Sequence, residues 1–235
     1  MNFLELCQRT ARECGVTSAR NVPLTVVNQE GQLGRVIEWV GSAWGDIQNR
    51  HPNWLWMRSR FSFDTAVGVA SYGAATDTRL SAPARLGRWI VLDDNGVTNV
   101  LIHLQSAGVA GQRRLAYLPW ANFQSIYGIG LQTNRPPVHC TIDPQNRLTL
   151  GPAPDAVYVV SGEYQMAPQV LAANNDVPEL AERHRLLIVY RAMQAYSQHY
   201  VASEIFTSGV RSANRLMRQL EQEQLPAVSL ARPLA

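Results

Sequence analysis

The apolar residues change their spacing twice along the chain, and that change constrains the fold more than any single motif. At the start, Phe3, Cys7, Ala11 and Cys14 recur three to four apart, with Gly15 as a stop. In GQLGRVIEWVGSAWGDIQNRHP, Leu33, Val36, Ile37, Val40, Trp44 and Ile47 make a second stripe of helical period. Pro52 limits that helix, because the residue before a proline is pushed out of the αR region. From Trp54 to about Gln165 the pattern becomes that of strands. RFSFDTAV alternates, and GRWIVLDDNGVTNVLIHLQ reads as two strands around an Asn95–Gly96 turn. QNRLTLGPAPDAVYVVSGEYQM adds three short strands, and Gly151–Pro152–Ala153–Pro154 cannot continue a ladder. SYGAATDTRLSAPA, residues 71–84, reads as a loop or as a segment that contains one. The helical period returns after Asp176–Val177–Pro178–Glu179, where Asp176 or Asn175 serves as a cap and Pro178 suits a first turn. A helix is expected from Leu180 to Gln198. Its middle, RLLIVYRAMQAY, is apolar on nearly all sides and so must be buried against several neighbours. Ala202, Phe206, Gly209, Ala213, Leu216, Met217 and Leu220 form the last stripe.

Two helices at either end cannot bury their stripes alone. The expected fold class is therefore α+β: a discontinuous α-helical bundle of N- and C-terminal helices, with an inserted antiparallel β-sandwich or barrel-like domain of six to eight strands. The expected boundaries are 1–52 and 172–224 for the bundle, 53–171 for the β domain, and 225–235 for an extended tail. Gly41 and Gly45, four apart on one helical face, are expected to mark close helix–helix approach. HPNWLWM sits at the exit from the second helix. On extended backbone Trp54 and Trp56 point the same way. They are expected to seal the bundle against the β domain, with a partner platform as the alternative.

Charge is sparse. The net charge of +3, with no dense Lys/Arg block, does not by itself imply a nucleic-acid binder. Cys7, Cys14 and Cys140 are odd in number and lack CxxC spacing, so neither a disulfide framework nor a zinc site is expected. Cys7 and Cys14 share one helical face about 10 Å apart, too far for a bond. Both read as small buried hydrophobes, and a reducing compartment is expected. No apolar run is long enough for a spanning helix. MNFLELCQRT lacks the basic region of a signal peptide. The expectation is a soluble protein made inside a cell.

Catalytic signatures are missing: there is no HExxH, GxSxG, GxxxxGK[ST] or strand-following GxGxxG. Asp93 and Asp94 before Asn95–Gly96 read as a turn, since the other ligands of a calcium loop are absent. His103 reads as a satisfied, partly buried histidine, and His184 as a packed or hydrogen-bonded one. Glu182 and Glu204 are expected to pair with Arg183, Arg185 or Arg191. Arg58 and Arg60 share one strand face; an exposed surface is the default reading, with phosphate or a partner's carboxylates as the alternative. No cofactor or metal is expected. A glycan hydrolase would need paired carboxylates. A carbohydrate-binding module would use Trp89 or Trp120 as stacking platforms, although Trp89 precedes an apolar strand and is expected inside.

Several segments in order carry a likeness: FLELCQRTARECGV, LGRVIEWVGSAWGDIQNRHPNWLWM, LAYLPWANFQSIYG, PPVHCTIDPQNRLTLGPAPDAVYVVSGEYQMAP and VPELAERHRLLIVYRAMQAYSQHYVASEIF. Together they resemble the head-to-tail adaptor, or connector, proteins of tailed bacteriophages, the SU10-adaptor-like family. The likeness runs nearly end to end. It implies a structural protein of the virion neck, made in the host cytoplasm, forming a ring of usually twelve subunits beneath the portal. The ring extends the DNA channel, without sequence-specific DNA binding, and docks tail or nozzle proteins. No membrane partner is implied. Trp54, Trp56, Pro119, Pro152, Asp155, Tyr158, Gly162, Tyr164, Tyr190, Arg191 and Glu204 match the pattern as structural or assembly residues. Trp54, Trp56, Arg58, Arg60, Tyr190, Arg191 and Glu204 are thus the junction or assembly candidates. Leu225, Pro226, Val228, Leu230, Pro233 and Leu234 are the candidates for reaching the portal.

Overall fold

The structure is a computed structural model and describes residues 1–16, 22–73, 85–93 and 95–226. It is a mixed α and β fold that divides into two compact units, Met1–Trp56 with Pro168–Ala235, and Met57–Ala167. Among the described residues the α-helices are α1 (Phe3–Glu13), α2 (Gly31–Asn49), α3 (Trp120–Tyr127), α4 (Leu186–Tyr200) and α5 (Ser203–Gln224). The strands are β1 (Arg58–Asp64), β2 (Ser71–Tyr72), β3 (Leu86–Ile90), β4 (Leu101–Leu104), β5 (Arg113–Arg114), β6 (Ala116–Tyr117), β7 (His139–Ile142), β8 (Leu148–Gly151) and β9 (Tyr158–Met166).

In the helical unit, α4 packs against α1, α2 and α5. The consecutive Leu187, Ile188 and Val189 are all buried, as a helix apolar on every side requires. α1 starts in a capping box: Asn2 Oδ1 accepts the Glu5 N–H at 2.9 Å, and Glu5 Oε2 accepts the Asn2 N–H at 3.0 Å. It buries Phe3, Cys7, Ala11 and Leu6, and the chain turns away at Gly15 with φ +65°. α2 buries Val36, Val40, Trp44 and Ile47, while Leu33 and Ile37 are half-buried.

Three expectations fail here. A Cβ on Gly41 or Gly45 would meet nothing within 4 Å, so neither glycine serves close helix packing. The close approach lies instead at Gly209 of α5, where an added Cβ would stand 3.2 Å from the Tyr190 carbonyl oxygen of α4. α4 begins at Leu186 rather than Leu180, after a 3-10 turn at Glu182–His184. The Asp176 carboxylate is occupied elsewhere: its Oδ2 accepts the N–H groups of Ala172 and Ala173 at 2.7 Å each. This returning segment is tied to the chain's first helices. Phe3 N–H donates to the Asp176 carbonyl at 2.7 Å, and Asn174 Oδ1 accepts from Val26 N–H at 2.7 Å. The Gln48 side chain both donates to the Gln169 carbonyl and accepts the Gln169 N–H.

The second unit holds two sheets. One has the order β1–β9–β4–β5, with β3 also on β9; the other has the order β2–β8–β7–β6. Among the described residues neither closes into a barrel. Alternation fixes the register: on β1, Phe61 and Phe63 are buried while Arg60, Ser62 and Asp64 are exposed. Phe61, Trp89, Ile102 and Val160 from one sheet share a core with Tyr72, Cys140, Leu148 and Leu150 from the other. The Asn95–Gly96 turn is present, with Asp93 Oδ1 accepting the N–H groups of Asn95 and Val97. Its two strands do not form the expected ladder. They pair only next to the turn, where Leu92 bridges Thr98, Asp93 N–H donates to the Val97 carbonyl at 2.8 Å and Asn99 N–H to the Val91 carbonyl at 2.7 Å, and then line the same edge of β9 end to end: β3 against residues 163–166, β4 against 158–161. QNRLTLGPAPDAVYVVSGEYQM supplies β8 and β9, not three strands. β6 and β7 pair in parallel, and α3 lies between them, so the unit is neither purely antiparallel nor purely β. Ser71 and Tyr72 of the expected loop are a strand; its residues 74–84 lie outside those described.

Gly162 and Gly41 make opposite predictions. A Cβ at Gly162 would fall 2.8 Å from the Phe61 ring, which is pinned edge-on by Trp89 at 4.8 Å. Gly162→Ala should therefore destabilise by about 1–3 kcal/mol. Gly41→Ala, in open space on a helix, should stabilise by about 0.5–1 kcal/mol. Urea unfolding of the two variants checks both signs.

Candidate functional site

The first candidate residues, Trp54 and Trp56, sit in an aromatic cluster of the helical unit. Trp54 is fully buried and its Nε1–H donates to the Ile47 carbonyl at 3.1 Å. The His51 ring stands edge-on to it, centroids 4.9 Å apart. Trp56 stacks on Trp44 at 5.4 Å and lies 6.3 Å from Trp54. Extended backbone is not what brings them together, since Leu55–Met57 is a 3-10 turn. The stretch is still stiff: α2 ends just before Pro52, and the indole of Trp54 bonds back onto the last turn of α2.

Beside this cluster the last turns of α5 are fastened twice. Glu221 Oε1 accepts from Arg50 Nε at 3.0 Å and from His51 Nε2 at 2.9 Å. Glu223 Oε2 accepts from Arg183 Nη2 and from His184 Nε2, the latter at 3.0 Å. Each clamp is an Arg–His dipeptide gripping one glutamate. His184 is buried, and its Nδ1 has no partner among the described residues. Hydrogen on Nε2 serves Glu223 and leaves a lone pair, not an unpaired N–H, in the interior; the contact of Arg183 Nε with the same nitrogen at 3.2 Å is then not a hydrogen bond to it. Burial pushes the Glu221 carboxyl up, but the bonds from His51 and Arg50 and their charges together hold it below its ordinary value. The hydrogen bond from His184 lowers that of Glu223. Within the chain, Glu182 and Glu204 form no ion pair with an arginine among the described residues; pairing between copies is the other form the expectation takes. Glu182 meets the N-terminal ammonium at 3.1 Å, and Glu204 forms no ion pair among the described residues. The short acidic spacing in EQEQ and the two Arg–His dipeptides were the available signals for the clamps.

The other candidates are spread out. Tyr190 and Arg191 lie on α4, and Glu204 is in the first turn of α5. Arg58 and Arg60 belong to β1 in the other unit, where Arg60 is 88% exposed and 3.8 Å from Glu163. Leu225 ends α5, its N–H donating to the Glu221 carbonyl at 3.1 Å, and Pro226 follows. Val228, Leu230, Pro233 and Leu234 lie outside the described residues.

Among the described residues no group of three or more His, Cys, Asp or Glu side chains is placed to hold a metal. Burial pushes the thiols of Cys7, Cys14 and Cys140 up to about 12, so they remain protonated and unreactive. Asp93 is spent on its turn, and Asp94 lies outside the described residues. His103 departs from expectation, since its Nδ1 is buried without a hydrogen-bond partner among the described residues. Trp89 packs inside and bonds the Asn146 carbonyl, so it offers no stacking face. Trp120 instead lines an aromatic recess of about 230 Å³ with Phe123, Tyr127 and Pro152. No helix among the described residues is long and apolar enough to cross a membrane.

The model of one family, the SU10 adaptor protein, matches residues 1–232. The chain belongs to that family. The adaptor is thus a structural protein of a bacteriophage, in agreement with the likeness read from its segments. A comparison with curated proteins found no match.

The adaptor's aromatic cluster and clamps give two predictions. Trp54→Ala removes a fully buried side chain and its hydrogen bond, and should cost about 3–5 kcal/mol in chemical unfolding. Glu221 and Glu223 have lowered folded pKa values, so their contribution is present above the ordinary carboxylate pKa and lost as pH falls through the folded ones. From about pH 5 downward, the melting temperature of the wild type should fall more steeply than that of Glu221→Gln/Glu223→Gln. Parallel curves would show that the clamps contribute nothing.

Proposed function

We propose that this adaptor forms a ring beneath the portal of a tailed bacteriophage, usually of twelve copies, extending the DNA channel and docking tail components. The observation that carries this reading is the family match over residues 1–232. On this reading the chain is a discontinuous helical bundle, 1–52 with 172–224, into which a β-sandwich, 53–171, is inserted. The bundle meets the portal and neighbouring copies, and the β unit meets tail or nozzle proteins. Trp54 and Trp56 stiffen the point where the chain leaves the bundle. Residues 225–235 reach the portal through Leu225, Pro226, Val228, Leu230, Pro233 and Leu234.

Physical considerations support the assignment. A closed ring needs two different surfaces per copy that match each other. A channel that DNA must traverse is served by weak charge, since dense phosphate contacts bind tightly and slow passage. The chain's +3 meets that requirement. The doubly clamped end of α5 gives the following segment a fixed point of departure.

Mixing the chain with its cognate portal and imaging the product by electron microscopy tests the proposal. A ring on the portal is expected; a chain that stays monomeric and never joins the portal overturns it. A chain ending at Gln224 should keep its melting temperature and lose portal attachment. Equal attachment would remove the tail from the contact.

A further inference from the structure

We propose that the helical unit carries both halves of a contact between copies: the corner between α4 and α5 of one copy, bearing Glu204, seats in a recess formed by Arg191 and Arg50 of the next. This inference rests on the ring reading above and names the surfaces that build it.

The receiving half is a recess of about 320 Å³ lined by Asp46, Ile47, Asn49, Arg50, Arg191 and Met217. Ile47 and Met217 are buried and supply an apolar floor. Arg191 is half-buried, and its Nη1 donates to the neutral amide oxygen of Gln194 at 3.3 Å. Burial and the nearby Arg50 both work against its charge, while Asp46 and Glu221 favour it. Neither acid pairs with Arg191 among the described residues, and Glu221 Oε1 is already shared by Arg50 and His51. A guanidinium has five N–H donors in a fork that fits a carboxylate. A carboxylate entering from outside satisfies donors that the chain's own residues leave open.

The entering half is at the other end of α5. α4 stops at Val201, whose backbone is left-handed at φ 54°, and α5 begins at Ser203. The corner presents Val201, 88% exposed, and Phe206, 38% exposed, around the exposed Glu204. The acids Glu5, Glu13, Asp176, Glu182, Glu221 and Glu223 of this unit are held by hydrogen bonds or ion pairs. Glu204 forms no ion pair among the described residues, as is also true of Glu30, Glu38 and Asp46; what sets it apart is its place between Val201 and Phe206 at the corner. Two features therefore match independently: acid with arginine, and exposed apolar side chains with an apolar floor. About 20 Å of helix separates Glu204 from Met217, so a chain cannot fill its own recess. Corner and recess are different surfaces, which makes the contact head-to-tail, the kind that propagates and closes into rings.

Charge exchange tests this on the full chain, with and without cognate portal. Glu204→Arg and Arg191→Glu should each weaken self-association at least tenfold by analytical ultracentrifugation, and the double variant should recover it. Circular dichroism and thermal melting establish that each variant folds. Because a charge reversal at half-buried Arg191 can itself disturb folding, a second pair uses exposed positions. Glu204→Cys with Asn49→Cys should give a ladder of disulfide-linked oligomers under mild oxidation, and neither single variant should. Single charge variants that assemble like the wild type, or a double-cysteine chain that gives no ladder, overturn the inference. If rings form on the portal in those cases, the adaptor reading stands and only the contact falls. If the wild type forms no ring even with portal, both fall.

Discussion

The structure depends on burying one helix. α4 carries Leu187, Ile188 and Val189 in succession, and no single neighbour can cover three consecutive apolar side chains. They point around most of the helix circumference, so cover has to come from several directions. α1 and α2 come from the first part of the chain and α5 from the last. The helical unit therefore cannot be completed until the chain has returned from the β unit. Its contacts are long in sequence, and such contacts must overcome loop entropy before they stabilise anything. Gly209 matters here for a physical reason: without a side chain, α5 can lie against the α4 backbone at Tyr190.

The return of the chain is held by polar groups as well as by the buried Leu171 and Leu180. Gln48 is buried on α2 and exchanges two hydrogen bonds with the backbone of Gln169. Asn174 serves Val26 and Thr25 in the same way, and Asp176 takes the N–H groups of Ala172 and Ala173. Buried amides of this kind lose their value if the register shifts by one residue, since each would then be left unpaired. They fix where the second half of the helical unit joins the first.

Much of this was legible in the sequence, and the failures have causes. The stripes of α1 and α2 and the stop at Gly15 follow from periodicity and a glycine at positive φ. The late start of α4 did not, because Asp176 and Pro178 carry the chemistry of a helix start but spend it on a turn. α3 escaped notice because it is short and buries only Phe123. With it went the parallel pairing of β6 and β7, which needs a crossing segment between them. Gly41 and Gly45 show the reverse error: a spacing that suggests packing meets open space. Of the assembly candidates, the tryptophan pair stood out in the sequence. Glu221 and Glu223 did not, since pairing across helices leaves no periodic trace.

β9 has a consequence for how the second unit tolerates change. β3 and β4 are joined by a short hairpin that pairs residues 91–93 with 97–99, and beyond it each is aligned by β9. A hairpin normally inherits its strand offset from the length of its turn. Here a third strand acts as a splint, and the offset is held by β9 as well as by the turn. The tip between residues 93 and 97 is therefore a place where a change of length leaves both strands held by β9, giving the protein a spot at which surface shape can diversify at little structural cost.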